Sequence, residues 1–381
     1  GDPYPSIVNG KIVWIVDGYT TSNGYPYSKK TLLSAATTDS LTTATNSTLM
    51  QSPVNYIRNS VKATVDAFDG TVSLYAWDPA DPVLKAWSRA YPGTVLPKSA
   101  MSQDLLDHVR YPEDLFRVQR DVLSQYHVST AAAFYGGQDF WRIPTDPSSF
   151  GQGGSTQPPY YLTLKMPGAA KASFSLTTAF VPRGSRENLS AFASVISEAG
   201  PDYGKIQVLQ VPRSTNIAGP SQVSSNFEGR PAVSTTLSLL RQGGSDVVLG
   251  NLLTLPVGGG LLYVQPVYVK ATSSAASYPL LQKVLVAFGD QIGFDDTLQG
   301  ALDQVFGGNA GAPAGGTTPG GTTPGGTTPG TATTVAAALA DAQRAFADGQ
   351  AALAKGDFAA YGKAQDALKA AIARAIAAQG R

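Results

Sequence analysis

Apolar and polar positions alternate in short runs through the first three hundred residues, and the runs are punctuated by turn residues. In "IVNGKIVWIV" the pair Asn9-Gly10 separates two apolar runs, and in "ATVDAFDGTVSLYAW" the pair Asp69-Gly70 does the same. Both predict hairpins closed by two-residue turns, because these pairs accept the left-handed backbone that such turns need. A helical section follows in "DPVLKAWSRAYPG" and "YPEDLFRVQRDVLSQYHV", where Pro112, Glu113 and Asp114 make a favourable helix start. Strand patterns return in "YYLTLK", "ASFSLTTAFVP" and "KIQVLQVP", in a pair around Gly258 to Gly260, and in "KVLVAFG". Helices are predicted over 188–198, 221–242 and 296–306, the last with Asp295 as its N-cap. Blocks of strands and helices without strict alternation predict an α+β body over 1–306, with a sub-boundary near 145–160.

The pattern then stops. "GGTTPGGTTPGGTTPG" from Gly315 lies in an uncharged stretch over 307–334. Such a stretch cannot bury enough apolar surface to offset its ordering entropy, which predicts a flexible linker with a reach of roughly 30 Å. Threonine beside proline also suits O-glycosylation if the chain is exported. Beyond it, 335–381 is Ala-rich, with Leu339, Phe346 and Leu353 at seven-residue spacing and a second stripe through Phe358, Tyr361, Leu368, Ile372 and Ile376. Gly356 and Asp357 read as the stop and start of two helices, so the tail is expected to be a helical hairpin suited to a partner surface.

Composition narrows the setting. Charged residues are 14% of the chain, against about 25% in an average soluble protein, a balance commoner among exported proteins. The net charge is +1, so no global field draws the chain to nucleic acid. There is no cysteine, which removes disulfides, thiolate metal sites and thiol nucleophiles together. The most apolar stretch, from Val247, is interrupted by Asn251, Pro256, three glycines and Pro266. It reads as two buried strands about a glycine turn rather than a membrane span.

Candidate chemistry is sparse. The two histidines, His108 and His127, are 19 residues apart and fit no metal motif; surface or cap roles are expected for both. No G-x-S-x-G, phosphate-binding loop or dinucleotide fingerprint occurs, and no cofactor or metal is expected. The acid pairs Asp78/Asp81 and Asp295/Asp296 are explained by turns and helix starts. The candidate ligand-binding residues are therefore aromatic: Trp14, Tyr19, Tyr25 and Tyr27, whose rings and hydroxyls suit sugars or acyl chains. The same residues could instead pack their loop onto the body. In "FYGGQDFWRIP", Phe140 and Trp141 are expected in the core, with Gly136 and Gly137 permitting a turn.

The blocks "GDPYPSIVNGKIVWIVDGYTTSNGYPYS", "NYIRNSVKATVDAFDGTVSLYAWDP", "YPEDLFRVQRDVLSQYHV", "DFWRIP" and "GPSQVSSNFEGRPAVSTTLSLLRQGGSDVVLGNLLTLPVGGGLLYVQPVYV" resemble, in order, one family. It is the family of large, uncharacterised actinobacterial multi-span membrane proteins with a long extracytoplasmic C-terminal region. The resemblance implies that Gly1 is a fragment edge, that membrane helices lie upstream, and that this region faces the outside of the cell membrane. No catalytic residue carries over from it. The leading expectation is an extracytoplasmic portion that serves the cell envelope by binding or transport-associated interaction, with an envelope lipid, glycan or protein as partner. The alternative is an exported hydrolase of envelope glycan or polymer that uses two carboxylates brought together by the fold. A structural spacer is a third reading, weakened by the helical middle section.

Overall fold

A computed structural model describes residues 3–42, 52–148, 154–242, 244–272 and 278–308, with 341–345, 347–348, 367 and 370–371 near the chain end. The chain divides into two units, Gly1–Pro313 and Ala314–Arg381. In the second unit the described residues are helical; the expected turn at Gly356-Asp357 and nearly all of the expected linker lie outside the described residues.

The first unit strings three five-stranded sheets along the chain, each built from one contiguous stretch. Sheet 1 runs in order through β1 (Tyr4–Val8), β2 (Lys11–Ser22), β3 (Tyr56–Asp66), β4 (Val72–Ala76) and β5 (Val95–Pro97). Short helix α1 (Leu33–Thr37) lies between β2 and β3, and α2 (Pro82–Ala90) is the crossover that lets β5 run parallel to β4. Helices α3 (Gln103–His108), α4 (Glu113–Tyr126) and α5 (Ala131–Gly136) lead to sheet 2. There β10 (Ile206–Gln210), β9 (Ala191–Ile196) and β8 (Ser173–Pro182) are neighbours, while β6 (Trp141–Arg142) and β7 (Tyr160–Leu164) lie end to end along the far edge of β8. After α6 (Pro220–Glu228) and α7 (Pro231–Leu240), sheet 3 repeats the device: β11 (Ser245–Leu249) and β12 (Leu253–Val257) share one edge of β13 (Gly260–Ala271), followed by β14 (Leu280–Phe288) and β15 (Gln291–Asp295). Helix α8 (Leu298–Phe306) closes the unit. The class is α+β, as the element pattern predicts.

Several local expectations change. The Asn9-Gly10 turn is a two-residue turn, with φ of 49° and 75°. The Asp69-Gly70 turn is longer: the loop is closed by the Asp66 N–H donating to Thr71 O, and the Asp66 carboxylate accepts from the N–H groups of Phe68 and Asp69. The segment 188–198, rich in helix-favouring alanine, contains β9 instead, because Ala191, Ala193 and Val195 alternate onto one face and Phe192 onto the other. The helix predicted over 221–242 is two helices, since Pro231 has no N–H to continue the ladder from α6. Thr297, not Asp295, caps α8, its hydroxyl accepting from Gly300 N–H at 3.0 Å; Asp295 is the last residue of β15.

Sheet 3 is covered on both faces. Leu285 and Ala287 of β14 pack with Val223, Phe227, Val233 and Leu237 of α6 and α7, while Val284 and Val286 pack with Ala301 and Val305 of α8. Sheet 2 carries α4 on one face, through Phe116 against Leu176 and Val195.

Sheet 1 is turned unusually. Its inner face holds Tyr4, Val8, Ile15 and Trp77 against Met101, Leu105 and Val109, and it also holds Asp17, Lys62 and Thr64, all buried. Its outer face is apolar from edge to edge. Register places Pro5, Trp14, Val65 and Val72 in one cross-strand row, and Val16, Ala63, Leu74 and Val95 in the next.

Among the described residues, two ionic clusters are buried inside the unit. Lys62 Nζ, with a side chain 0% exposed, donates to Asp17 Oδ1, to Arg110 O at 3.1 Å and to Tyr203 Oη at 3.1 Å. All three ammonium hydrogens thus have acceptors. Tyr203 comes from the β9–β10 turn of sheet 2, so this node joins the first two sheets. Burial pushes the Lys62 pKa down, and the Asp17 charge opposes that shift. In the second cluster Arg117 Nε meets Asp39 Oδ2 at 2.6 Å, with Glu113 and Asp114 on its other nitrogens. Arg120, pushed down to about 10 by burial, lies 3.5 Å from the same Asp39 oxygen.

Removing one member of a buried pair leaves the other charge uncompensated. Lys62→Leu is therefore expected to cost about 3–5 kcal/mol in denaturant unfolding, and the double variant Asp17→Leu/Lys62→Leu clearly less. A single-variant loss below about 1 kcal/mol would show that the pair does not hold the sheets together.

Candidate functional site

The sequence-predicted aromatic residues lie along one strand and the loop after it, and none of them lines the clefts described below. Trp14 lies on the outer face of sheet 1. Tyr19 is further along the same strand, after a bulge at Gly18/Tyr19, roughly 16 Å away at strand spacing. Tyr25 stacks on Tyr56 with ring centroids 6.1 Å apart, and its backbone is clamped by Asn55, which accepts from Tyr25 N–H and donates to Tyr25 O. Tyr27 is fully exposed in a left-handed conformation, φ 57°. Tyr25 therefore packs its loop onto the body. The histidines take the expected positions: His108 ends α3 with Nδ1 2.7 Å from Asp104 O, and His127 caps α4 and stacks on Trp141. The acid pairs are occupied structurally. Asp81 caps α2 and accepts from Tyr56, Thr20, Ser60 and the N–H groups of Val83 and Leu84. Burial opposes its charge, but those donors hold its carboxyl well below the usual range. Asp78 pairs with Arg58, and Asp296 with Lys283.

The clefts gather elsewhere, around a ribbon made from two irregular segments. The β8–β9 connection lies beside the β10–α6 connection, with Leu189 N–H donating to Ile217 O at 2.7 Å and Gly219 N–H to Glu187 O at 3.0 Å. Gly219 is required there, because a Cβ would stand 2.2 Å from Glu187 O. Successive side chains of the ribbon point to different sides, which separates an apolar cleft from polar ones.

The apolar cleft encloses about 780 Å³, within the range of small-molecule sites. Its floor is Leu164, Met166 and Phe192 on the face of sheet 2 turned away from α4. Leu189 and Ile217 of the ribbon form one wall, and Leu255, Val257 and Leu261 of the β12–β13 hairpin form the opposite one. That hairpin turns through Gly258 and Gly259, with φ of 57° and 79°, where side chains with a Cβ are strained. Lys165 stands at the rim and forms no ion pair among the described residues.

Across Leu189 and 210–212 the apolar cleft adjoins a polar one of about 560 Å³ that holds Arg186, Asn188 and Arg213, the last paired with Asp139. A further polar cleft of about 690 Å³ is lined by three carboxylates, Asp146, Glu187 and Glu228, with Ser221 and Asn216 between them. Glu187 pairs with Arg142, and Asp146 accepts from Ser40 and Ser148. Burial raises the Glu228 pKa, with Arg241 opposing. Among the described residues no cluster of His, Cys, Asp and Glu could hold a metal ion.

The strand alternation within 189–196 and the pair Gly219-Pro220 are the sequence signals for this ribbon, and the helix propensity of the alanines in 188–198 masks the first. The arrangement can do two things. An apolar cleft flanked by cations suits an amphipathic molecule with an acidic head, and a carboxylate cleft suits a polar, hydroxyl-rich one.

These features define an α+β domain in which an apolar cleft lies beside polar ones. The chain belongs to the family described as Uncharacterised protein family (UPF0182), whose profile matches residues 1–240. It is 52% identical over 402 residues to a UPF0182 protein of Paenarthrobacter aurescens, covering 100% of this chain and 40% of that protein. It is 50% identical over 422 residues to one from Leifsonia xyli (99% and 42%) and 50% over 385 residues to one from Streptomyces coelicolor (100% and 38%). The chain therefore spans about 40% of the length of these relatives. No solved structure matches it, and among the described residues no helix is long and apolar enough to cross a membrane.

The raised Glu228 pKa has a signed consequence. The folded state holds this proton more tightly than the unfolded chain, so the ionised carboxylate costs stability above the folded pKa, and the cost disappears as pH falls through the unfolded value. Glu228→Gln is expected to melt above the parent at pH 7 and to converge with it below about pH 4. Equal shifts at both pH values in calorimetry would contradict this.

Proposed function

We propose that this chain is the extracytoplasmic part of a cell-membrane protein of the actinobacterial envelope, and that it binds an amphipathic envelope component, a lipid, in the apolar cleft. The observation that carries the reading is the cleft of about 780 Å³ with apolar walls, Lys165 at its rim without an ion pair among the described residues, and arginines beside it. Acyl chains bury against Phe192, Leu189 and Leu261, and the head meets Lys165 or Arg213, a division of labour that fixes orientation as well as affinity. The low charge of the chain and the family resemblance support the location. In the relatives' full-length proteins the membrane would be reached through segments outside this region, so the domain presents a lipid or passes it on without itself spanning the bilayer.

The test is titration of the purified chain with a fluorescent fatty acid and with phospholipids as competitors. Saturable binding is expected, weakened at least tenfold by Val257→Asp, which places a carboxylate at the exposed lip of the cleft, and several-fold by Lys165→Glu. Binding that ignores both substitutions, or no binding, overturns the reading.

The carboxylate cleft favours a second reading, an exported hydrolase of envelope glycan. Glu228, held toward its neutral form, would donate a proton, and Glu187 or Asp146 would act as the ionised partner. Release of reducing ends from cell-wall polysaccharide by the parent, lost at least a hundredfold in Glu228→Gln, is the expected outcome of that reading; no release by the parent ends it.

A further inference from the structure

The outer face of sheet 1 is the least expected surface of the molecule. Its cross-strand rows contain no charged residue, although this face does not carry the buried core of the unit. One end of it is open: Ile7 is 65% exposed, Ile12 57%, Val72 59% and Trp14 41%. Phe68, at the tip of the β3–β4 hairpin beside this end, is 98% exposed. Ile7 and Ile12 are direct cross-strand partners, as are Trp14 and Val65, and Val65 and Val72, so the exposed side chains form one contiguous patch. A solvated sheet face normally alternates to polar residues, and contiguous apolar patches mark interaction surfaces.

We propose that this face is the seat for the part of the full-length family protein that the 381 residues do not contain, which lays an apolar surface of its own across β1 to β4. The length of chain available supports this occupant: in the relatives more than half of the protein lies outside the matched region. Charge argues against a bilayer surface. Asp66 and Asp69 flank Phe68, and Lys11 is tied to Asp66 at 3.5 Å, which leaves the hairpin tip repelled by anionic headgroups. Added strand pairing is also disfavoured, because the edge strand β1 carries Pro5 with Pro3 just before it. The partner therefore docks on the face, sheet against apolar surface, rather than extending the sheet. This inference stands apart from the cleft: the cleft lies on sheets 2 and 3.

The chain has no cysteine, so single-thiol variants are available without background. Ile7→Cys and Val72→Cys, with Ser225→Cys at an exposed position of α6 as control, would be labelled with a maleimide in the 381-residue chain and in the full-length gene product extracted in mild detergent. The expected result is rapid labelling of all three in the chain alone, and slowing of at least tenfold at Ile7→Cys and Val72→Cys, but not at Ser225→Cys, in the full-length protein. Equal rates in the two proteins overturn the proposal. So does protection in the chain alone that grows with its concentration, which would indicate a second copy, or protection that appears only when phosphatidylglycerol vesicles are added, which would indicate a membrane. As a second measurement, Ile12→Asp/Val72→Asp is expected to leave the Tm of the 381-residue chain within about 2 °C and to lower that of the full-length protein by about 5 °C or more. Equal shifts in both would contradict the proposal.

Discussion

The buried contact between Lys62 and Asp17 decides which way sheet 1 faces, and much of the molecule follows from that choice. Side chains alternate across a strand, so placing Asp17 and Lys62 inward also places Trp14, Val16, Ala63 and Val65 outward. An ammonium in the interior is tolerable only with every hydrogen satisfied, and Asp17, Arg110 O and Tyr203 Oη supply the three acceptors. Tyr203 belongs to the second sheet, and its ring packs edge-on to Trp77 at 5.0 Å. The charge pair therefore fixes the strand register of sheet 1 and its attachment to sheet 2 in one place. Its cost is a charge pair set into the apolar inner face and a second, outward face that is apolar as well.

How much of this was legible depended on whether the information was local. The Asn9-Gly10 turn was, because two residues set its geometry. The α4 start at Pro112 and the strands β7, β8, β10 and β14 were also readable from short patterns. The failures share a cause. In 188–198 alanine's helix propensity was outweighed by tertiary packing, with Ala191 and Ala193 small because α4 and Trp141 press on that face. The long helix after Ser221 failed at Pro231, a breaker visible in the sequence. The burial of Asp17 and Lys62 was not visible, since "IVWIVD" and "SVKATVD" do not state which of their faces will be buried.

The candidate site was less legible than the fold. Aromatic residues in the opening hairpin attracted attention by their chemistry, yet Trp14, Tyr19, Tyr25 and Tyr27 are spread along a strand and its loop. The clefts instead depend on residues of no special chemistry, above all Gly219, whose missing side chain lets two connections lie against each other. That ribbon puts Leu189 and Ile217 toward one cleft and Glu187 and Asn216 toward another. Long-range backbone approach of this kind has no signature in a single sequence beyond a glycine before a proline.

If the apolar cleft holds a lipid in the cell, native mass spectrometry of the protein purified from its own host in gentle detergent will detect it. A bound species with the mass and fragmentation of an envelope lipid is expected, at one copy per chain and displaced by organic extraction. Protein recovered without any lipid adduct, in preparations where its fold is intact by circular dichroism, would contradict lipid binding in this cleft.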